Sequence, residues 1–131
     1  MKVIDIHFAE KTPRVILDDE KKVFEISGSS YPNNIRDFSL PVINQLKEYL
    51  EDLSPETPFK FNFKMAYFNS ATAKFIADIF LLANDFINKQ YNIELFWFYQ
   101  EGDDDMFEAG RDFAQLLDVQ LNYVMIAQQT V

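Results

Sequence analysis

The stretch Met65-Ala66-Tyr67-Phe68-Asn69-Ser70-Ala71-Thr72-Ala73-Lys74 joins two hydrophobic periods. Upstream of it, Phe59, Phe61, Phe63 and Met65 alternate with Lys60, Asn62 and Lys64, the period of a strand with one apolar and one polar face. Downstream, Phe75, Ile76, Ile79, Phe80, Ala83, Phe86 and Ile87 recur at three- and four-residue steps as far as Gln90, which predicts an amphipathic helix. A strand therefore runs straight into a helix. Asn69, Ser70 and Thr72 stand at the junction, and one of them is expected to cap the first turn by accepting a free amide. Ser70 has two readings. It caps the helix, or it presents a hydroxyl where amides and the helix dipole favour an anion such as phosphate.

Working outward, Val3 to Phe8 alternates like a strand, although the pattern does not say whether it joins the sheet. Residues 14–18 and 23–27 flank Asp19-Glu20-Lys21-Lys22 and predict an antiparallel hairpin. Gly28 to Asn34 reads as a loop, with Pro32 biasing Tyr31 away from helical angles. Ser39 is the expected cap of the next helix, with Leu40 and Pro41 in its first turn and Ile43, Leu46, Leu50 and Leu53 facing inward. Two prolines in residues 54–58 make a stiff connector into the central strand. The almost continuous apolar run Ile93 to Tyr99 suits a strand covered on both faces. Residues 100–105 lead into a helix carrying Met106, Phe107, Ala109, Phe113, Ala114 and Leu117, and Val119 to Ile126 forms a last strand. The expected fold is a single α/β domain over residues 1–131. It has a mixed sheet with an N-terminal antiparallel hairpin and a parallel portion, packed by about three helices.

Composition narrows the function. A chain of 131 residues, 48% hydrophobic and containing 14 Phe, buries a core and is not disordered. A net charge of −9 with scattered Lys and Arg excludes the phosphate neutralisation on which nucleic-acid binding rests. No apolar run approaches the roughly 20 residues that span a bilayer, and the N-terminus carries charges where a signal peptide is apolar. A soluble, cytoplasmic protein is expected. With no cysteine, disulfides, thiolate catalysis and cysteine-ligated zinc are all ruled out.

Catalytic and metal sites find little support. His7 is the only histidine and stands in the N-terminal strand, whereas serine chemistry needs a base beside the nucleophile and zinc sites usually recruit several ligands. Gly28, Gly102 and Gly110 fit no phosphate-binding loop. Glu101, Asp103, Asp104 and Asp105 are the one metal candidate, but their spacing matches no Ca²⁺ loop and aspartates before a helix serve capping. A ligand- or metal-binding module using loop 101–105 and the aromatic residues is the alternative reading; no metal site, no cofactor and no enzymatic activity are expected.

Two blocks carry a resemblance. Gly28-Ser29-Ser30-Tyr31-Pro32-Asn33-Asn34 and Tyr67-Phe68-Asn69-Ser70-Ala71-Thr72-Ala73-Lys74, followed by Asp78-Ile79-Phe80, resemble the turns that precede helices in the SiaC family of bacterial regulatory phosphoproteins. That family is similar to the STAS domains of anti-sigma-factor antagonists. The resemblance implies a STAS-like fold and a phosphate carried by Ser70, with Thr72 as the fallback. Ser70 stands where the family commonly has Thr, Ala71 where a second hydroxyl is common, and Asn33 where Glu is frequent. It implies a partner-binding face including Tyr31, Pro32, Asn69, Ala71, Thr72 and Lys74. It further implies a Ser/Thr kinase and a PP2C-type phosphatase as partners, and a diguanylate cyclase activated by the unmodified form.

Overall fold

The computed structural model describes residues 1–127. In chain order it contains β1 (Lys2–Ile6), β2 (Arg14–Asp18), β3 (Val23–Ser30), α1 (Arg36–Asp52), β4 (Phe59–Phe68), α2 (Ser70–Asn88), β5 (Ile93–Gln100), α3 (Asp104–Leu117) and β6 (Asn122–Ile126). The strands form one sheet in sequence order, antiparallel from β1 to β3 and parallel from β3 to β6. The expected hairpin is β2–β3, and β1 joins the sheet as its outer strand.

Neighbouring parallel strands joined by helices put α1, α2 and α3 on one face. Burial follows. Phe59, Phe61, Phe63 and Met65 of β4 and Ile93, Leu95 and Trp97 of β5 are sealed beneath the helices. Each such side chain contributes about 1.5–3 kcal/mol by leaving water. The rings interlock at the centre, with Phe63 4.4 Å from Phe80 and Trp97 5.7 Å from Phe113, centroid to centroid. The Trp97 indole donates to the Met106 carbonyl at 2.9 Å, so its one polar atom is satisfied inside the core.

Among the described residues no helix lies over the opposite face, which corrects the reading of β5 as a strand covered on both sides. Phe96 and Phe98 on that face are half-buried. Lysine stems from β4 shield them: Lys60 Nζ lies 5.5 Å from the Phe96 ring and Lys64 Nζ 4.7 Å from the Phe98 ring. Lys64 also pairs with Glu25 at 2.9 Å.

Three boundaries shift for local reasons. α1 begins at Arg36, ahead of Ser39, because Asn34 Oδ1 accepts the Arg36 amide at 3.1 Å and Asp37 places an acid in the first turn. Pro41 consequently lies inside α1, where it deprives only the exposed Asp37 of a partner. Val42, Leu46 and Leu50 are its buried residues, while Ile43 and Leu53 are only partly covered. Residues 28–30, expected in a loop, extend β3 past a register shift at Gly28, whose φ is +93°. A Cβ there would come 2.2 Å from the Phe8 ring, which would have to move aside, and the positive φ strains any other residue. Val119 and Leu121 are buried ahead of β6 but are not part of it.

The β2–β3 turn is tied down by acids. Asp18 Oδ1 accepts the amides of Glu20 and Lys21, and Asp19 accepts from Lys22 Nζ at 2.7 Å and from the Tyr49 hydroxyl of α1 at 2.6 Å.

Candidate functional site

Because β3 and β4 run parallel, their C-terminal ends leave the sheet side by side, with Ser30 opposite Phe68. In open α/β sheets this end is where ligands and partners are usually met. It is also where the two singled-out blocks meet.

Asn69 is the N-cap of α2. Its extended backbone (φ −90°, ψ 178°) turns the chain out of β4, and its Oδ1 accepts the Thr72 amide at 3.0 Å. The same side chain donates from Nδ2 to the Pro32 carbonyl at 3.3 Å, and its backbone amide donates to the Ser30 carbonyl at 3.0 Å. Thr72 is buried: its hydroxyl donates to the Ser30 carbonyl at 3.3 Å and lies 2.7 Å from Ser30 Oγ, which donates to it. Asn69 and Thr72 thus weld the loop after β3 to the first turn of α2.

Ser70, the first residue of α2, is exposed, and among the described residues no hydrogen bond engages its hydroxyl. Capping is done by Asn69, which leaves Ser70 free of that task. Tyr31 and Tyr67 stand beside this turn with rings edge to face at 6.2 Å, and both are exposed. Tyr31 is fixed by its own amide, which donates to the Lys11 carbonyl at 2.9 Å. Lys74, one turn on from Ser70, is exposed and pairs with Asp78 at 3.6 Å. Ala71 is half-buried, and Pro32 and Thr72 are buried, supporting the surface from beneath. A groove of about 420 Å³ lies between the first turns of α1 and α2, lined by Arg36, Leu40, Lys74 and Asp78.

The link from Ser30 to Asn69 and Thr72 was not readable from the chain, since Ser30 lies 39 and 42 residues before them and no local pattern connects them.

The other candidates have structural roles. Asp103 caps α3 by accepting the Met106 amide at 3.0 Å, with Asp104 and Asp105 in its first turn. Among the described residues no group of three or more His, Cys, Asp or Glu converges as a metal site. His7, expected in the N-terminal strand, lies just past the end of β1, with its Nδ1 2.9 Å from Arg14 of β2. No helix among the described residues is long and apolar enough to cross a membrane.

A one-domain α/β fold that holds a free hydroxyl on a rigid helix N-terminus beside exposed aromatic rings has the build of a small regulatory domain. The chain belongs to the SiaC family of regulatory phosphoproteins, whose family model matches residues 6–126. Solved structures share the fold. The apo-SiaC crystal structure from Pseudomonas aeruginosa is 21% identical with a TM-score of 0.80, over 95% of this chain and 98% of that one. SiaC in the crystal structure of the diguanylate cyclase SiaD in complex with its activator SiaC, from the same organism, is 22% identical with a TM-score of 0.83, over 95% of this chain and 99% of that one. Comparison with curated proteins returned no match.

Proposed function

We propose that this protein is a phosphorylation-switched binding module, with Ser70 as the acceptor and without catalytic activity of its own. The observation that carries this reading is the contrast between two neighbouring hydroxyls: Ser70 is exposed and unengaged, whereas Thr72 is buried and hydrogen-bonded. A kinase active site reaches the first without disturbing the fold and the second only by opening it.

A Ser/Thr kinase supplies ATP and Mg²⁺ and modifies Ser70; a PP2C-type phosphatase reverses the step. The modification adds about two negative charges and a tetrahedral group to the contact surface. The first-turn amides and the helix dipole accommodate the anion, and Lys74 at i+4 is drawn to it from Asp78. A partner packed on Tyr31, Tyr67 and Ala71 in the unmodified state meets a charge it must desolvate and is released. The family membership and the SiaD–SiaC complex support a diguanylate cyclase as the partner that the unmodified form activates, with cyclic di-GMP as the output and the cytoplasm as the setting.

The test is intact mass after incubation with the cognate kinase and ATP, followed by capture of partners. One phosphate is expected on the wild type and none on Ser70→Ala. Ser70→Ala should retain the cyclase and Ser70→Asp should lose it. Phosphate retained on Ser70→Ala would remove Ser70 from the mechanism, and equal capture by all forms would remove the switch.

A further inference from the structure

β6 is the outermost strand on its side of the sheet, and among the described residues nothing pairs with its outer edge. Sheet edges of this kind are normally guarded by charge, proline or a bulge. β1 at the opposite edge is guarded, by Lys2, Asp5 and a register shift between Lys2 and Ile4. The β6 sequence Asn122-Tyr123-Val124-Met125-Ile126 has no charge, no proline and an unbroken register, in a chain of net charge −9. Tyr123, Met125 and Ile126 are all exposed.

The backbone orientation says what fits this edge. The Ile126 carbonyl accepts the Glu101 amide at 2.8 Å, so Ile126 turns its peptide groups toward β5. By alternation Val124 and Asn122 do the same, and Tyr123 and Met125 turn theirs outward. These outward residues are placed symmetrically about Val124. We infer that the β6 edge pairs with the β6 edge of a second copy of this chain, antiparallel about a two-fold axis through Val124. Tyr123 then faces Met125 of the other copy, each exchanging both backbone hydrogen bonds with its opposite, while the two Val124 side chains meet at the axis. The contact is isologous and closes on itself, yielding a dimer with one continuous sheet.

The side chains agree with that register. Tyr123 rests on Phe107 at 5.3 Å and sets a thioether against an aromatic ring across the axis. Arg111 lies over the same Phe107 ring at 5.9 Å, so a cation stands beside the Tyr123 packing partner in a chain of net charge −9. The axis runs through the sheet plane, so the two Ser70 turns lie at opposite ends of the joined sheet and stay open. The dimer does not depend on the switch reading.

Sedimentation velocity on the full chain tests this, from about 1 to about 300 µM, since a join this small is expected to hold in the micromolar range. The expected result is a concentration-dependent rise from 15.4 kDa toward twice that mass. Val124→Asp sets two carboxylates face to face, and Met125→Pro deletes an outward amide while sparing the β5 ladder; each should remain monomeric throughout. Hydrogen exchange on the wild type covers the case in which either variant misfolds. The amides of Tyr123 and Met125 should slow at least tenfold at high concentration, while those of Val124 and Ile126 are slow at both. A wild type that stays monomeric, or a dimer in which the Tyr123 and Met125 amides exchange fast, overturns the proposal.

Discussion

Thr72 Oγ1 and Ser30 Oγ lie 2.7 Å apart in a pair closed to solvent, and this contact fixes the position of the exposed Ser70 two residues away. Thr72→Val keeps the shape but leaves Ser30 Oγ dry and without its acceptor. The expected cost is about 1–3 kcal/mol, read as a lowered urea midpoint at unchanged slope. Ser30→Ala leaves the Thr72 hydroxyl its bond to the Ser30 carbonyl, so it should cost less. The double variant should fall short of the sum, because the second change removes a group the first had orphaned.

Asn69 should show a different signature, since its side chain serves both the α2 amides and the Pro32 carbonyl. Asn69→Ala removes the cap and the tether together, at a cost of about 1–2 kcal/mol. Asn69→Asp keeps the acceptor and loses the donor, so it should recover most of the stability while freeing the Tyr31 loop. Amide exchange at Tyr31 and Asn33 separates the two effects: faster in both variants, with global stability lowered mainly in the first.

How much of this was legible in the chain depends on the range of the interaction. The β4–α2 junction was legible because alternation at residues 59–65 and three-to-four spacing at residues 75–87 are local consequences of strand and helix geometry. The start of α1 was obscured by Pro41, the strongest local marker, while the operative signal was the weaker pair Asn34 and Asp37. One-sided coverage of the sheet left no trace in β5, because Phe96 and Phe98 are as apolar as core residues. What makes them tolerable at a surface is Lys60 and Lys64 on the neighbouring strand. Ser70 stood out by its place at a helix start, but the burial of the neighbouring Thr72 hydroxyl depends on Ser30, 42 residues earlier.

Gly110 lies flat against the Trp97 indole, and a Cβ there would come within 2.5 Å of the ring. Gly110→Ala must push α3 off β5 or turn the indole, against the bond from Trp97 Nε1 to Met106. The usual helix-propensity gain of alanine over glycine is therefore reversed, and a net loss of about 1–3 kcal/mol is expected. Trp97 is the only tryptophan, so its fluorescence reports directly: a red shift and a lowered midpoint are expected.

The β2–β3 turn sets the pH response. The amides of Lys21 and Glu20 hold the Asp18 carboxyl below its ordinary 3.8, and the Lys22 ammonium and Tyr49 hydroxyl do the same for Asp19. The unfolded chain takes up these protons first on acidification. Their contribution is thus complete above that ordinary value and is lost as pH falls through the depressed native values. Burial, then the Asp19 bond, raises the Tyr49 hydroxyl well above its ordinary 10.0, so its contribution is complete below that value and is lost as pH rises beyond it. Asp19→Asn should flatten both limbs in unfolding curves taken across pH, whereas Asp18→Asn should flatten the acid limb alone.

Ser70 itself should contribute little to stability, because Asn69 does the capping and Ser70 makes no bond that folding needs. Ser70→Ala is expected to shift the unfolding free energy by no more than about 0.5 kcal/mol. The phosphorylated chain should melt no lower than the unmodified one, since an anion at the first residue of α2 gains about 0.3–1 kcal/mol from the helix dipole. Calorimetry on the two forms decides the point. A fold that loosens on phosphorylation would mean that partners are released by local unfolding, and the account by charge at an intact surface would fail.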